Sequence, residues 1–394
     1  MKRTQLAILI LLVVVLAAAA FVLARRSTTS WQSSTEHLAD RLVNLPINDV
    51  AQISIQQPKA EVNLRKKGDS WVVTDRADYP ANFEMISTLI RKVWELKPVQ
   101  EVEVGPSQLG RLSLLEPGQG EKSGTLVDFK NAGGKRLAAV LFGKKYLRES
   151  DQSFARGRAF PAGRYVMPED GIHHVSLVTD TFQQIDDQPE RWLDRDFIKI
   201  EKPISIAVAG PSLGMNWKLE REPASKEWRL ADGKPEEKLD ETKATQIANS
   251  VGNIASFRDV LAPDAKPETT GLDKPVSFTV TTEDGFTYIL NVGKKRDESY
   301  PLMVAVSANL PRERHAAKEE TTEEKTRADK EFQTRRESLE KKLAKEKKLE
   351  GRIFLVPKFG IEQLEKNRPD LLAPKPTLTP SPSPAASSTK PNPK

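Results

Sequence analysis

The 394-residue chain carries 61 Lys and Arg against 55 Asp and Glu, a formal charge of +6, and no cysteine. The missing cysteines exclude disulfides, thiolate nucleophiles, Cys-ligated zinc, iron–sulfur clusters and lipid attachment through a thiol. Lys2, Arg3, Arg25 and Arg26 supply much of the positive excess, so the nearly balanced remainder lacks the basic face of a nucleic-acid-binding protein.

The run from Leu6 to Ala24 is uncharged and rich in Leu, Ile, Val and Ala. As a helix it would span about 28 Å, close to the hydrocarbon thickness of a bilayer. A cleavable signal peptide usually has an apolar stretch of only about 7–15 residues, so residues 1–26 read as a transmembrane anchor. Positive charges flank both ends and do not decide its orientation. Residues 27–47 read as a polar stalk.

A first module is expected over 48–190. Val50, Ile53 and Ile55, then Val62 and Leu64, then Trp71-Val72-Val73 form a β-meander. Asn82 caps a helix over 82–96 whose apolar face is Phe83, Ile86, Ile90, Val93 and Trp94. A hairpin follows, Leu126–Phe129 and Leu137–Phe142 around Asn131-Ala132-Gly133-Gly134.

After a connector at 191–199, a second module over 200–364 repeats this order. Ile204, Ile206 and Val208, then Trp217 and Leu219, then Trp228 and Leu230 are strands. Asp240 caps a helix over 240–257 with Ala244, Ile247, Val251, Ile254 and Phe257 on one face. Val276, Phe278 and Val280 turn at Asp284-Gly285 into Phe286, Tyr288, Leu290 and Val292. The fold class is therefore α+β: an anchor followed by two duplicated, mainly antiparallel β modules, each with one helix. The duplication predicts that Trp71 matches Trp228, that Gly143-Lys144-Lys145 and Gly293-Lys294-Lys295 end equivalent strands, and that Pro168 matches Pro357.

Two segments break the symmetry. Residues 312–350 carry 13 Lys/Arg and 11 Asp/Glu with neither Gly nor Pro, a solvated helix by its three- and four-residue charge spacing. The helix breaks at Thr321-Thr322, and Phe332, Leu339 and Leu343 give it a thin apolar stripe. This insert reads either as a helix packed on its own module or as a docking arm. With so few apolar groups, its removal is expected to leave both modules folded. Residues 365–394, rich in Pro, Ser, Thr and Lys toward the end, are expected as a disordered tail.

No chemical constellation emerges. His37, His173, His174 and His315 have no metal-ligand spacing, and the two Gly-Lys-Lys stretches have Ala138 and Tyr288 where a phosphate loop needs its first glycine. Gly118, Gly120 and Gly124 lack the preceding strand of a dinucleotide site. Asp186-Asp187 and Asp194/Asp196 are the notable carboxylate clusters, the latter expected to pair with Arg191 and Arg195 or to cap a turn. No catalytic, cofactor-binding or metal-ligating residue is assigned.

Several short motifs in one order resemble the bacterial domain-of-unknown-function family 4340. They are Asn48-Asp49-Val50 with Ile53 and Ile55, Trp71–Val73, Tyr79–Ala81, Leu109, Leu112, Leu114 and Pro117, Phe142-Gly143-Lys144, and Trp192–Arg195. The resemblance covers most of residues 45–300 and brings no catalytic residues with it. It implies a protein of the inner (cytoplasmic) membrane, single-pass through residues 6–24, with the bulk outside the cytoplasm and beside ABC-type export or gliding-motility-like components. The expected function is a non-enzymatic accessory protein of such a transporter or envelope assembly, with a protein partner, no cofactor and no nucleic acid. An envelope glycan-binding module and a hydrolase of unknown chemistry are the alternatives.

Overall fold

The computed structural model describes residues 41–149, 159–169, 174–186, 188–222, 226–262, 264–314 and 320–374. The expected anchor, His37, His173, Asp187, His315 and most of the expected tail lie outside them. Among the described residues, no helix is long and apolar enough to cross a membrane. The fold is α+β, two mainly antiparallel sheets with few helices, divided into two compact units. One takes the chain to Asp196 with 259–264, the other Phe197–Arg258 with the chain from Ala265.

In the first unit, β1 (Gln52–Gln56), β2 (Glu61–Lys67), β3 (Ser70–Val73) and β4 (Tyr79–Pro80) lead into helix α1 (Phe83–Trp94). Strands β5 (Gln100–Val102), β6 (Thr125–Lys130), β7 (Arg136–Glu149), β8 (Ala159–Pro168) and β9 (Val175–Val178) complete a sheet ordered β4-β3-β2-β1-β6-β7-β8-β9-β5. Period-two alternation fixes its core face. Ile53 lies opposite Leu64 and Phe129, Ile55 opposite Val62 and Val127, and all six are buried. The Asn82 side chain accepts a hydrogen bond from Met85 N at 3.1 Å, starting α1 as expected. The helix turns Ile86, Leu89 and Val93 inward, each contributing about 1.5–3 kcal/mol. Phe83, expected on that face, is the first residue of the helix and is 66% exposed.

For the second sheet, β10 (Pro203–Ala209), β11 (Trp217–Arg221) and β12 (Trp228–Leu230) precede α2 (Glu241–Gly252), β13 (Asp259–Val260) and the short α3 (Pro267–Thr270). Then come β14 (Val276–Thr282), β15 (Phe286–Val292), β16 (Ser299–Ala308), α4 (Thr322–Glu346), β17 (Phe354–Pro357) and α5 (Lys358–Glu362). The order is β12-β11-β10-β14-β15-β16-β17-β13. Ile206 lies opposite Leu219 and Val280, and Val208 opposite Trp217 and Phe278, the same layering as in the first sheet. A register shift between Pro203 and Ser205 leaves Ile204 outside it. Helix α2 ends at Gly252, shorter than expected, with Ile254 and Phe257 buried beyond it. Phe197, Phe257 and Phe354 meet with ring centroids 4.9–5.2 Å apart.

Aligning β3 with β12 matches eight strands of the two sheets in one order, and it places Trp71 and Trp228 at equivalent positions. It also corrects two expected correspondences. Pro168 ends β8, whose counterpart is β16, whereas Pro357 ends β17, the counterpart of β9. The misleading likeness between Gly163–Pro168 and Gly351–Pro357 arose because alternating strand patterns carry no register. Gly293 directly follows β15, but Gly143 sits inside β7 at a register shift. What the two glycines share is close approach. A Cβ at Gly143 would meet Leu112 O at 2.3 Å, and one at Gly293 would meet Thr270 O at 2.2 Å. Those carbonyls end the helical turn Pro106–Leu112 and α3, which hold the same place in the two units.

One further expectation changes. Residues 365–374 belong to the second unit: Leu371 is buried, Lys366 O accepts from Trp217 Nε1 at 2.8 Å, and Arg368 grips Asp232 and Glu237. The charged insert follows the first of its two expected readings, a helix packed on its own module, because its C-terminal end buries Glu346 and Leu349.

Candidate interaction surface

Helix α4 starts on a capping box, with Thr321 and Glu324 satisfying each other's backbone N–H groups. Its 25 residues would extend about 38 Å. Glu346 alone of these is fully buried, and i,i+4 pairs such as Arg336–Glu340 at 2.9 Å lie along the exposed surface.

The C-terminal end is fastened by a buried polar network. Glu346 accepts from Lys199 N at 3.0 Å and from the Tyr288 hydroxyl at 2.9 Å, while Lys342 Nζ donates to Lys199 O at 2.6 Å. Burial pushes the Glu346 carboxyl above its ordinary value against the opposing pull of the Lys199 N–H, the Tyr288 hydroxyl and Lys342. Burial, then the Glu346 charge, raises the Tyr288 phenol as well. A few residues further along, Glu350 accepts from Val306 N of β16 at 2.8 Å. Helix α4 is thus fastened at its C-terminal end by hydrogen bonds to Lys199, Tyr288 and Val306. Sequence reading missed Glu346, since one buried acid among eleven leaves no signature.

The residues singled out for chemistry serve the fold. Asp186 receives a two-pronged contact from Arg164 at 2.9 and 3.1 Å and from Lys145 at 2.8 Å. Arg164 is itself buried and also donates to Gly143 O at 2.8 Å. Asp194 accepts from Asp196 N at 3.0 Å, the expected turn cap. His174 is exposed just before β9. Gly118 and Gly120 adopt positive φ, and Gly124 packs between Ser113 O and Phe142 O, so this stretch is a tight turn. No group of three or more potential metal ligands exists among the described residues.

The cavities follow the same pattern. A cleft of about 800 Å³ lies between α2 and residues 363–374, and both carboxylates on its wall are already engaged. Asp240 caps α2 through Thr242 N, and Asp370 accepts from Asn367 N. A smaller groove of about 330 Å³ runs along α4 between Phe332, Leu339, Leu310 and Pro311, with Arg335 paired to Asp284 at its edge.

Residues 71–275, more than half of the chain, match the family described as Domain of unknown function (DUF4340). The chain belongs to this family. The DUF4340 match runs from β3 to the residue before β14 and so draws on both units. Within that range the motifs that carried the resemblance sit on packed backbone: Trp71, Tyr79, Ala81, Trp192 and Leu193 are buried, and Ala81 bridges Leu193. No curated protein and no solved structure matches the chain.

Proposed function

We propose that this DUF4340 protein is a non-enzymatic, membrane-anchored accessory subunit that presents its two β units, outside the cytoplasm, to a transporter-like or envelope-assembly complex. Residues 6–24 would be its single span in the cytoplasmic membrane, and the shared strand order of its units would stem from one duplicated module. The observation that carries the reading is α4, a largely exposed, evenly charged helix fastened to its unit by buried Glu346 and by Arg335 on Asp284. Such a helix costs little to order on binding, because its own unit already fixes it. Its alternating charges suit a partner surface of mixed sign.

Purification of the full chain from detergent-solubilised membranes, followed by identification of co-purifying proteins, tests this reading. Stoichiometric membrane-protein partners, lost on reversing Arg327, Lys330 and Glu331 on exposed α4, support it. Retention on cell-wall material without such partners would replace it with glycan binding.

A further inference from the structure

Strand β7 pairs with β6 only as far as Phe142, and β8 pairs with β9 only from Arg164. Beyond those points, residues 145–149 and 159–163 pair, among the described residues, with each other alone, an arm of about 15–20 Å. Three of the exposed large apolar side chains lie on it: Tyr146 (39%), Leu147 (52%) and Phe160 (50%). Arg148 lies directly opposite Phe160, and Tyr146 shares their face by alternation. Lys144 and Arg148 are exposed, whereas Lys145 turns back to Asp186. Tyrosine and phenylalanine beside arginine on one side of a ribbon match the interfacial zone of a bilayer, where rings sit among headgroups and cations meet phosphates.

The path of the chain points the same way. Leu42 N donates to Leu96 O at 2.9 Å, Val99 N donates to Leu177 O at 2.8 Å, and Val178 pairs with Arg164 at the base of the arm. The chain therefore enters the first unit at the end of the sheet from which the arm projects. Exposed Val99 lies at that end too. Between Ala24 and Arg41 the chain can reach at most about 60 Å, so this end lies within that distance of any bilayer that holds residues 6–24.

We infer that the β7–β8 arm rests on the lipid surface, with Tyr146 and Phe160 at headgroup level and Arg148 and Lys144 on anionic phosphates. This rests on the anchor proposed above. The contact would fix the orientation of the first unit against the membrane, which a single span alone does not.

The absence of native cysteine makes the test direct. Single-cysteine variants Leu147→Cys, Ala132→Cys and Val15→Cys of the full chain carry an environment-sensitive fluorophore in vesicles of phosphatidylcholine with phosphatidylglycerol. Brominated lipid then reports depth. Ala132 lies in the turn at the opposite end of β7. Expected is strong quenching at 147 and 15 and none at 132, with quenching at 147 reduced on pure phosphatidylcholine. Arg148→Gln should lower arm occupancy about fivefold, the equivalent of one basic residue at an anionic surface. Tyr146→Ser with Phe160→Ser should abolish quenching at 147 while circular dichroism stays unchanged, since both side chains are exposed. Quenching at 15 with none at 147 overturns the arm and leaves the anchor standing. Quenching at 147 without quenching at 15 overturns the anchor and keeps the arm.

Discussion

Replacing Glu346 with alanine removes the side chain that accepts from Lys199 N, whereas Tyr288 retains Lys199 O at 3.2 Å. An orphaned buried N–H costs about 1–3 kcal/mol, and deleting a buried side chain adds a cavity term. Relief of the burial cost on this carboxyl offsets part of this. The expected net loss is about 2 kcal/mol, or roughly 4–8 °C in the melting of a unit this size. Glu346→Gln keeps an acceptor for Lys199 N and separates charge from shape. Because the folded carboxyl sits above its unfolded value, the native state binds more protons, so the Glu346 contribution declines as pH rises from the unfolded value through the raised one. The glutamine variant should lose this decline and gain on the parent toward neutral pH. Urea unfolding across that range, with hydrogen exchange at the Lys199 amide, measures both effects. Unchanged protection at Lys199 in the alanine variant, or an unchanged pH slope in the glutamine variant, would refute the reasoning.

Arg164→Met leaves the Gly143 carbonyl without its side-chain donor and Asp186 with Lys145 alone, and should cost about 1–3 kcal/mol, read as a shift in denaturant midpoint. Gly143→Ala and Gly293→Ala force a Cβ onto a backbone carbonyl, so each should destabilise by about 1–3 kcal/mol, whereas Gly133→Ala, with room around it, should be close to neutral in the same assay. Deleting residues 312–350 removes Glu346, Leu349 and Glu350 together and should lower the thermal midpoint; an unchanged melt would return α4 to a free appendage. Arg368 and the Lys234 N–H hold the Glu237 carboxyl down to about 2, so that contact should persist to strongly acid pH and be lost as pH falls from 4.5 toward 2, followed by NMR titration of Glu237 with Arg368→Gln as reference.

Local pattern determined much of this protein. Alternating Ile53 and Ile55, or Phe278 and Val280, can bury only one face of a strand, and Asn82 and Asp240 start helices because their side chains satisfy nearby N–H groups. The charge spacing of 322–346 likewise declared a helix. Tertiary structure decided what depends on partners distant in sequence. Strand register separated Pro168 from Pro357, since period two is identical in every register. Gly143 and Gly293 proved alike through the carbonyls facing them. Glu346, one acid among many in a charged run, became a buried anchor because β15 places Tyr288 beneath it and the chain at Lys199 supplies the N–H. The arm beyond Phe142 and Arg164 was hidden for the same reason: where a strand loses its neighbours is a property of the sheet, and one strand's residues do not encode it.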